Sequence, residues 1–288
     1  MNKCCVLFML KKYAAPVALS MAVFMCVPPS AEAQGAAEDQ LTGKLVITGS
    51  STIAPLIAEI GKRFESLHRK VRVDVQTGGS SRGIADAKQG LADIGMSSRL
   101  LKDEEKADLV TYLLARDGVC LLIHKSNPIE ALTDQQIVGI FTGEITNWKQ
   151  VGGRDAAVTV INRADGRSEL ELFSHHFKVK PMDIKAHLIA GDNEQGIKTL
   201  AGNPHAVIYM SVGTSEYDAA QGIPIKLLPL GGITASTANV RNGTFPFARP
   251  LVLLAKPNPN PLTKEFVDFA LSPEVHDLIE EFSFVPIK

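Results

Sequence analysis

The sequence predicts an α/β protein built as two lobes, on three observations. Short apolar strands alternate with helix-periodic segments along most of the chain, which favours a parallel sheet with helical crossovers. The turns joining them are rich in glycine, serine and threonine. Two dense apolar runs, "GVCLLI" (Gly118 to Ile123) and "RPLVLLA" (Arg249 to Ala255), stand where a chain would cross between lobes and return. A length of 288 residues fits that division, since domains commonly run to about 100–200 residues.

The N-terminus is expected to be a secretory signal peptide, residues 1–33. Lys11 and Lys12 precede an apolar run, Tyr13 to Val27, and an A-x-A site follows that ends at Ala33. Pro16, Pro28 and Pro29 interrupt the run, so it is short of the roughly 20 apolar residues a spanning helix needs. Met25 stands before Cys26 where a lipoprotein would carry a small residue. The expected destination is a periplasm-like space. The first lobe is then expected to comprise residues 34–121 and 247–288, and the second 122–246.

The elements follow in order. Residues 34–42 are small and polar, and "KLVITGS" (Lys44 to Ser50) alternates as a strand. Pro55 suits an early helical turn, and Leu56, Ile57, Ile60, Phe64 and Leu67 recur at helical spacing. Val71, Val73 and Val75 mark one face of the next strand. "RGIADAKQGLADIGMSSR" gives a short helix, a stop at Gly90 and a further strand. "DGVCLLIHKSNP" predicts a strand buried on both faces. "ALTDQQIVGIFTGEITNW" opens on a capping box, Thr133 with Gln136, and a Leu132–Ile137 staple, and Gly143 ends its helix. "AVTVINR" and "HAVIYMSVG" are strands, "SELELFSHHF" is a helix, and "RPLVLLAKP" returns the chain to the first lobe. "SPEVHDLIEEF" starts a last helix with Ser272 as cap and Pro273 in its first turn. No fixed-period repeat is visible.

Composition narrows the chemistry. The signal segment carries three lysines and one glutamate, so its removal takes the formal charge from −1 to about −3. Nucleic acid would call for a basic stripe with interleaved aromatics, and neither is present. Cys4, Cys5 and Cys26 leave with the signal; Cys120, alone in "GVCLLI", reads as a small buried hydrophobe. The sequence holds no G-x-S-x-G, S-x-x-K, H-E-x-x-H or P-loop pattern. His175 and His176 are adjacent and so point about 100° apart on a helix, unsuited to one metal. The expectation is a protein without catalysis, metal or cofactor.

What remains is the set of strand-to-helix turns. "TGSSTIAP" (Thr48 to Pro55), "TGGSSRG" (Thr77 to Gly83) and "NRADGRSE" (Asn162 to Glu169) combine glycine with hydroxyl residues, and "MSSR" (Met96 to Arg99) ends a strand. Glycine lets backbone approach a ligand, the first helical turn offers free N–H groups, and arginine adds a bidentate fork. The candidates are Ser51, Thr52, Ser80, Ser81, Ser98, Arg163, Asp165, Gly166, Arg167 and Ser168. Any one turn is also explained as an ordinary N-cap, worth about 1 kcal/mol. Three turns converging from two lobes are less readily explained so.

The segments "GSSTIAP", "GGSSRGIADAKQGLADIGMSSR", "IFTGEITNWKQVGG", "NRADG" and "NGTFPFARPL" closely resemble the periplasmic phosphate-binding proteins of high-affinity phosphate ABC transporters, in the same order, from about Lys44 to Lys288. The resemblance implies a type II periplasmic-binding fold with hinge-connected mixed sheets. It implies a monomer whose lobes close on inorganic phosphate and present it to an inner-membrane permease. Carried over by position, Thr52 and Ser80 would be ligands, Arg163 the charged fork, and Asp165 the acid that orients it.

Two departures leave the ligand open. Ser98 stands where some members carry an acid that accepts the phosphate proton and repels sulfate. Gly166-Arg167-Ser168-Glu169 replaces the usual G-S-G-T. Ser168 and Glu171 fit a capping box, and Glu169 could occupy the space an anion needs. A misplaced charge 4 Å from an anion is worth ~4 kcal/mol at a dielectric of about 20. A micromolar binder has ~8 kcal/mol in all. Arg167 is expected to pair with Glu169 or to contact the ligand. Another oxyanion, a phosphorylated small molecule, or a secreted sensing protein with a decayed site remain alternatives.

Overall fold

A computed structural model describes residues 41–287; the expected signal peptide and the segment up to residue 40 lie outside the described residues. The chain begins with β1 (Gly43–Gly49), α1 (Ala54–Leu67), β2 (Val71–Thr77), α2 (Ser80–Gln89) and β3 (Ile94–Ser97). β1 pairs in parallel with both β2 and β3, as two crossover helices require. Along α1, Leu56, Ile57, Ile60 and Phe64 are buried, but Leu67 is 55% exposed, because the last turn runs past the core. Gly90 ends α2 at φ 74°, as its position predicts.

A close approach fixes where α2 begins. A Cβ on Gly83 would lie 2.7 Å from the carbonyl oxygens of Met96 and Thr48, so the helix rests directly on β1 and β3. That contact sets Ser80, at the first turn of α2, beside the end of β3.

β4 (Val110–His124) is longer than the apolar run alone suggests, starting seven residues before Asp117. Its first half runs from exposed to buried without a regular alternation and is recognisable as a strand only through its partner. Then come α3 (Asp134–Thr142), β5 (Thr159–Arg163), α4 (Ser168–Phe177), β6 (Leu188–Ala190), α5 (Asn193–Ala201), β7 (Ala206–Ser211), α6 (Val212–Ala220), β8 (Ile225–Leu228) and α7 (Thr237–Arg241). The capping box of α3 forms: Gln136 N donates to Thr133 Oγ1 at 3.2 Å and Thr133 N to Gln136 Oε1 at 2.8 Å. The chain closes with β9 (Ala248–Ala255), α8 (Pro261–Ala270), α9 (His276–Glu281) and β10 (Val285–Pro286). Ser272 caps the short turn before α9, accepting from Glu274 N.

The strands order as β2-β1-β3-β9-β4-β7-β5-β6, with β8 and β10 also on β4. Pairs joined by crossover helices are parallel, but β4 is antiparallel to β9, β7 and β8, so the sheet is mixed rather than parallel throughout. Two large apolar clusters result. One gathers Leu45, Ile57, Phe64, Leu114, Leu251 and Phe266; the other gathers Val119, Phe141, Trp148, Phe173, Tyr209 and Phe247. β4 passes from the first to the second between Ala115 and Val119, and in that interval Asp117 pairs in register with Arg249 of β9. Cys120 lies buried in the second cluster, and burial pushes its thiol well above the ordinary value.

Gly83→Ala is expected to lower the unfolding free energy by about 1–3 kcal/mol, as overpacking against backbone does. Urea denaturation of the purified protein measures it.

Candidate anion-binding site

The turns singled out in the sequence meet at the junction of the two cores. In the turn after β1, Gly49 at φ 134° lets Ser50 N reach the Met96 carbonyl at 3.0 Å, which brings Ser50, Ser51 and Thr52 against β3. Ser98, just past β3, accepts or donates at Ser50 Oγ (2.9 Å) and Ser168 Oγ (2.6 Å), while its N–H donates to Ser80 Oγ at 3.1 Å. Ser50, Ser80, Ser98 and Ser168 are all buried. A chain of hydroxyls thus links the first, second and third turns.

At the centre lies a carboxylate. Glu169, in the first turn of α4, is only 2% exposed. It accepts from Thr52 Oγ1 at 2.9 Å and from Arg249 Nη1 at 2.8 Å, and Arg163 Nη2 lies 3.9 Å away. Arg249 also donates to Ser168 Oγ (3.1 Å) and, through Nε and Nη2, to Asp117 Oδ2 at 3.0 and 2.8 Å. Asp117 in turn accepts from Gly213 N in the first turn of α6. Asn193, opening α5, ties both sides: its Nδ2 donates to Thr52 Oγ1 at 3.2 Å, and its Oδ1 accepts from Arg163 Nη2 at 2.8 Å and Ser51 Oγ at 3.3 Å. A cavity of about 570 Å³ adjoins, reaching Ser51, Thr52 and Asn193 and walled by Val75, Tyr217 and Phe282.

Several expectations change. Arg163 is 1% exposed and is oriented by Asn193 and by the Asp192 carbonyl (2.7 Å), not by Asp165. Asp165 is exposed at the outer side of its turn. The Ser168–Glu171 capping box does not form. Arg167 is the N-cap position, Ser168 faces Ser98 and Arg249, and Glu171 pairs with Arg99 and Lys102, each at 3.1 Å. Ser81 belongs to that outer group, donating to Glu171 Oε1 at 3.0 Å, and its N–H holds the Gly166 carbonyl at 3.2 Å. Gly166, at φ 78°, presses that carbonyl against Gly79, where a Cβ would lie 2.6 Å from it. Arg167 makes no ion pair with Glu169. Its Nε and Nη1, and Arg163 Nε, are buried without a hydrogen-bond partner among the described residues.

Arg249, Asp117 and Asn193 were not among the sequence candidates. A charge bordering each of the two apolar runs, "GVCLLI" and "PLVLLA", was the available signal for Asp117 and Arg249. Asp192 followed by helical spacing of Ile197 and Leu200 marked α5, yet nothing in it marked Asn193 as a bridge.

Burial works to raise the Glu169 pKa, but the attraction of Arg249 and Arg163 and the Arg249 hydrogen bond outweigh it and bring it from 4.5 down to about 2. Burial likewise works to lower the Arg249 pKa, and the carboxylates of Glu169 and Asp117 reverse it. Arg167 is lowered by burial and by the positive charge of Arg163. Because the folded Glu169 pKa lies below the unfolded one, its contribution is present above pH 4.5 and lost as pH falls towards 2. Acid titration of stability is expected to show that loss in the wild type and a flatter slope in Glu169→Gln. Arg249→Ala leaves two buried carboxylates without their common cation and is expected to cost about 3–5 kcal/mol, read by urea denaturation.

Comparison with known proteins agrees with this architecture. The profile of the PBP superfamily domain matches residues 33–274. The phosphate-binding protein PstS of Bacillus subtilis is 25% identical over 96% of this chain and 95% of its own length. A Clostridium perfringens protein assigned as a phosphate ABC transporter substrate-binding protein, solved with bound phosphate, superposes with a TM-score of 0.79 at 31% identity, over 85% of this chain and all of the other. An ABC-type phosphate transport receptor from Vibrio cholerae gives 0.69 at 30% identity, over 84% of this chain and all of the other. The mixed sheet, the two cores and the matched span together place the chain in the PBP superfamily, with the type II fold.

Proposed function

We propose that this chain is the substrate-binding component of an ABC transporter and captures inorganic phosphate where its two cores meet. The observation that carries the reading is the convergence of Thr52, Ser98, Ser168, Arg163 and Arg249 on one small volume that already holds an anionic group. Neutral hydroxyls and guanidinium forks are the donors a dehydrated oxyanion requires, and they come from both cores. Arg163 and Arg167 also keep buried N–H groups without a hydrogen-bond partner among the described residues. The similarity to proteins named for phosphate supports the choice of oxyanion.

The lobes of this reading follow the two cores, with the crossing in β4 between Ala115 and Val119 rather than after residue 121, and with Phe247 packed in the second core. β4 and β9 join them, so relative motion bends the chain near Asp117 and Arg249. Capture needs no bond making or breaking; the work is desolvation, orientation and closure. The expected signal peptide places the protein outside the cytoplasm, where a membrane permease is its partner. No helix among the described residues is long and apolar enough to cross a membrane.

Calorimetric titration of the ligand-stripped protein with phosphate, sulfate, arsenate and molybdate tests the reading. Phosphate binding that survives excess sulfate is expected; silence with all four overturns it. Arg163→Ala is expected to weaken phosphate binding at least a hundredfold, because its charged fork is fully buried beside the anion position. An unchanged affinity would show that the oxyanion sits elsewhere.

A further inference from the structure

Glu169 belongs to the chain, yet it makes the contacts an oxyanion would make. We propose that it is an internal anion: it occupies the cradle, holds the two cores together, and must be displaced when phosphate enters. The proposal rests on the reading of the site given above.

The geometry supports it from three sides. First, the carboxylate joins elements of different cores. Thr52 belongs to the turn after β1, whereas Glu169 opens α4, and the hydrogen bond between them spans 117 residues of sequence. Arg249, on the return strand β9, clamps Glu169 and Asp117 with one guanidinium. Asn193 completes the bridge by touching Thr52 and Arg163 together.

Second, Glu169 takes up donors that an oxyanion would need. Its Oε1 accepts from Thr52 Oγ1 and Arg249 Nη1, with Arg163 Nη2 3.9 Å away. Asp117 and Glu169 are nearly excluded from water together with Arg163 and Arg249, and the partly buried Arg167 adds a third cation beside them. A second anion at the Thr52 and Arg249 donors would meet the Glu169 carboxylate at contact distance in a medium of low dielectric. Displacement therefore follows from shared donors and from like-charge contact.

Third, the backbone around Glu169 allows the exchange. The side chain leaves from the first turn of a helix, so its rotation disturbs no strand pairing. The unpartnered Arg167 and Arg163 N–H groups lie in the same turn and its preceding strand. They are donors that Glu169 does not use and that a tetrahedral oxyanion, with more oxygens than a carboxylate, can.

A competitor tied to the chain weakens every oxyanion it competes with, because it holds the Thr52 and Arg249 donors itself. The deciding measurement is the phosphate affinity of the wild type against Glu169→Thr, which supplies a hydroxyl, and Glu169→Gln, which keeps the shape and removes the charge. Both variants are expected to bind phosphate at least tenfold more tightly than the wild type. Equal or weaker binding by both overturns the proposal, since Glu169 would then be a bystander or a ligand, while leaving phosphate capture itself intact. If none of the three proteins binds phosphate, the functional reading fails, and small-angle scattering of the ligand-free proteins decides on the latch alone. A larger radius of gyration in both variants than in the wild type upholds it; identical profiles overturn it.

Discussion

The buried ionic group formed by Asp117, Arg249 and Glu169 is the constraint on which the rest of the site depends. Arg249 lies on the strand that returns the chain to its first core, and Asp117 is its register partner on the strand that leaves it. Their pairing fixes the two crossing strands at the one place where the chain changes core. Because each ion is almost wholly removed from water, neither carboxylate is tolerable without the guanidinium. The positions of Thr52, Ser168 and Asn193 follow from holding this group in place.

The same constraint explains why a local rule gives way. Ser168 and Glu171 have the spacing of a capping box, a device worth about 1 kcal/mol. Across the junction, Ser168 instead reaches Ser98 and the charged Arg249, and a hydrogen bond to a buried charge is worth about 1.5–3 kcal/mol. The larger interaction wins, and the helix starts with no side-chain cap. Glu171, released, joins the ion pairs with Arg99 and Lys102 that tie the outer side of the same turn to the end of β3. Two glutamates separated by one residue therefore have different fates: Glu169 is buried among guanidinium groups, while Glu171 stays at a partly solvated rim.

Much of the framework was legible residue by residue. The valine alternation of β2, the Thr133–Gln136 box, and the glycine stops at Gly90 and Gly143 each identified an element through local backbone chemistry. The first half of β4 was not legible, since its alternation is weak and its strand character comes from pairing with β9. The hydroxyl residues of the three turns do come together. Asp165 does not join them, because after Arg163 the chain turns outward and Asn193 is the group that faces the guanidinium.

By itself, the sequence determined the order and type of most elements, the turns at which helices begin, and the kind of donor those turns present. These depend on periodicity, on glycine's access to positive φ and on the chemistry of individual side chains, all of which are local. Only the tertiary structure decided which donors share a centre, that Arg249 rather than Asp165 completes it, and that Glu169 lies inside it. Coulombic and hydrogen-bond energies depend on distance and on exclusion of water. Residues 52, 169 and 249 acquire both only when Asp117 and Arg249, 132 positions apart, are paired across β4 and β9.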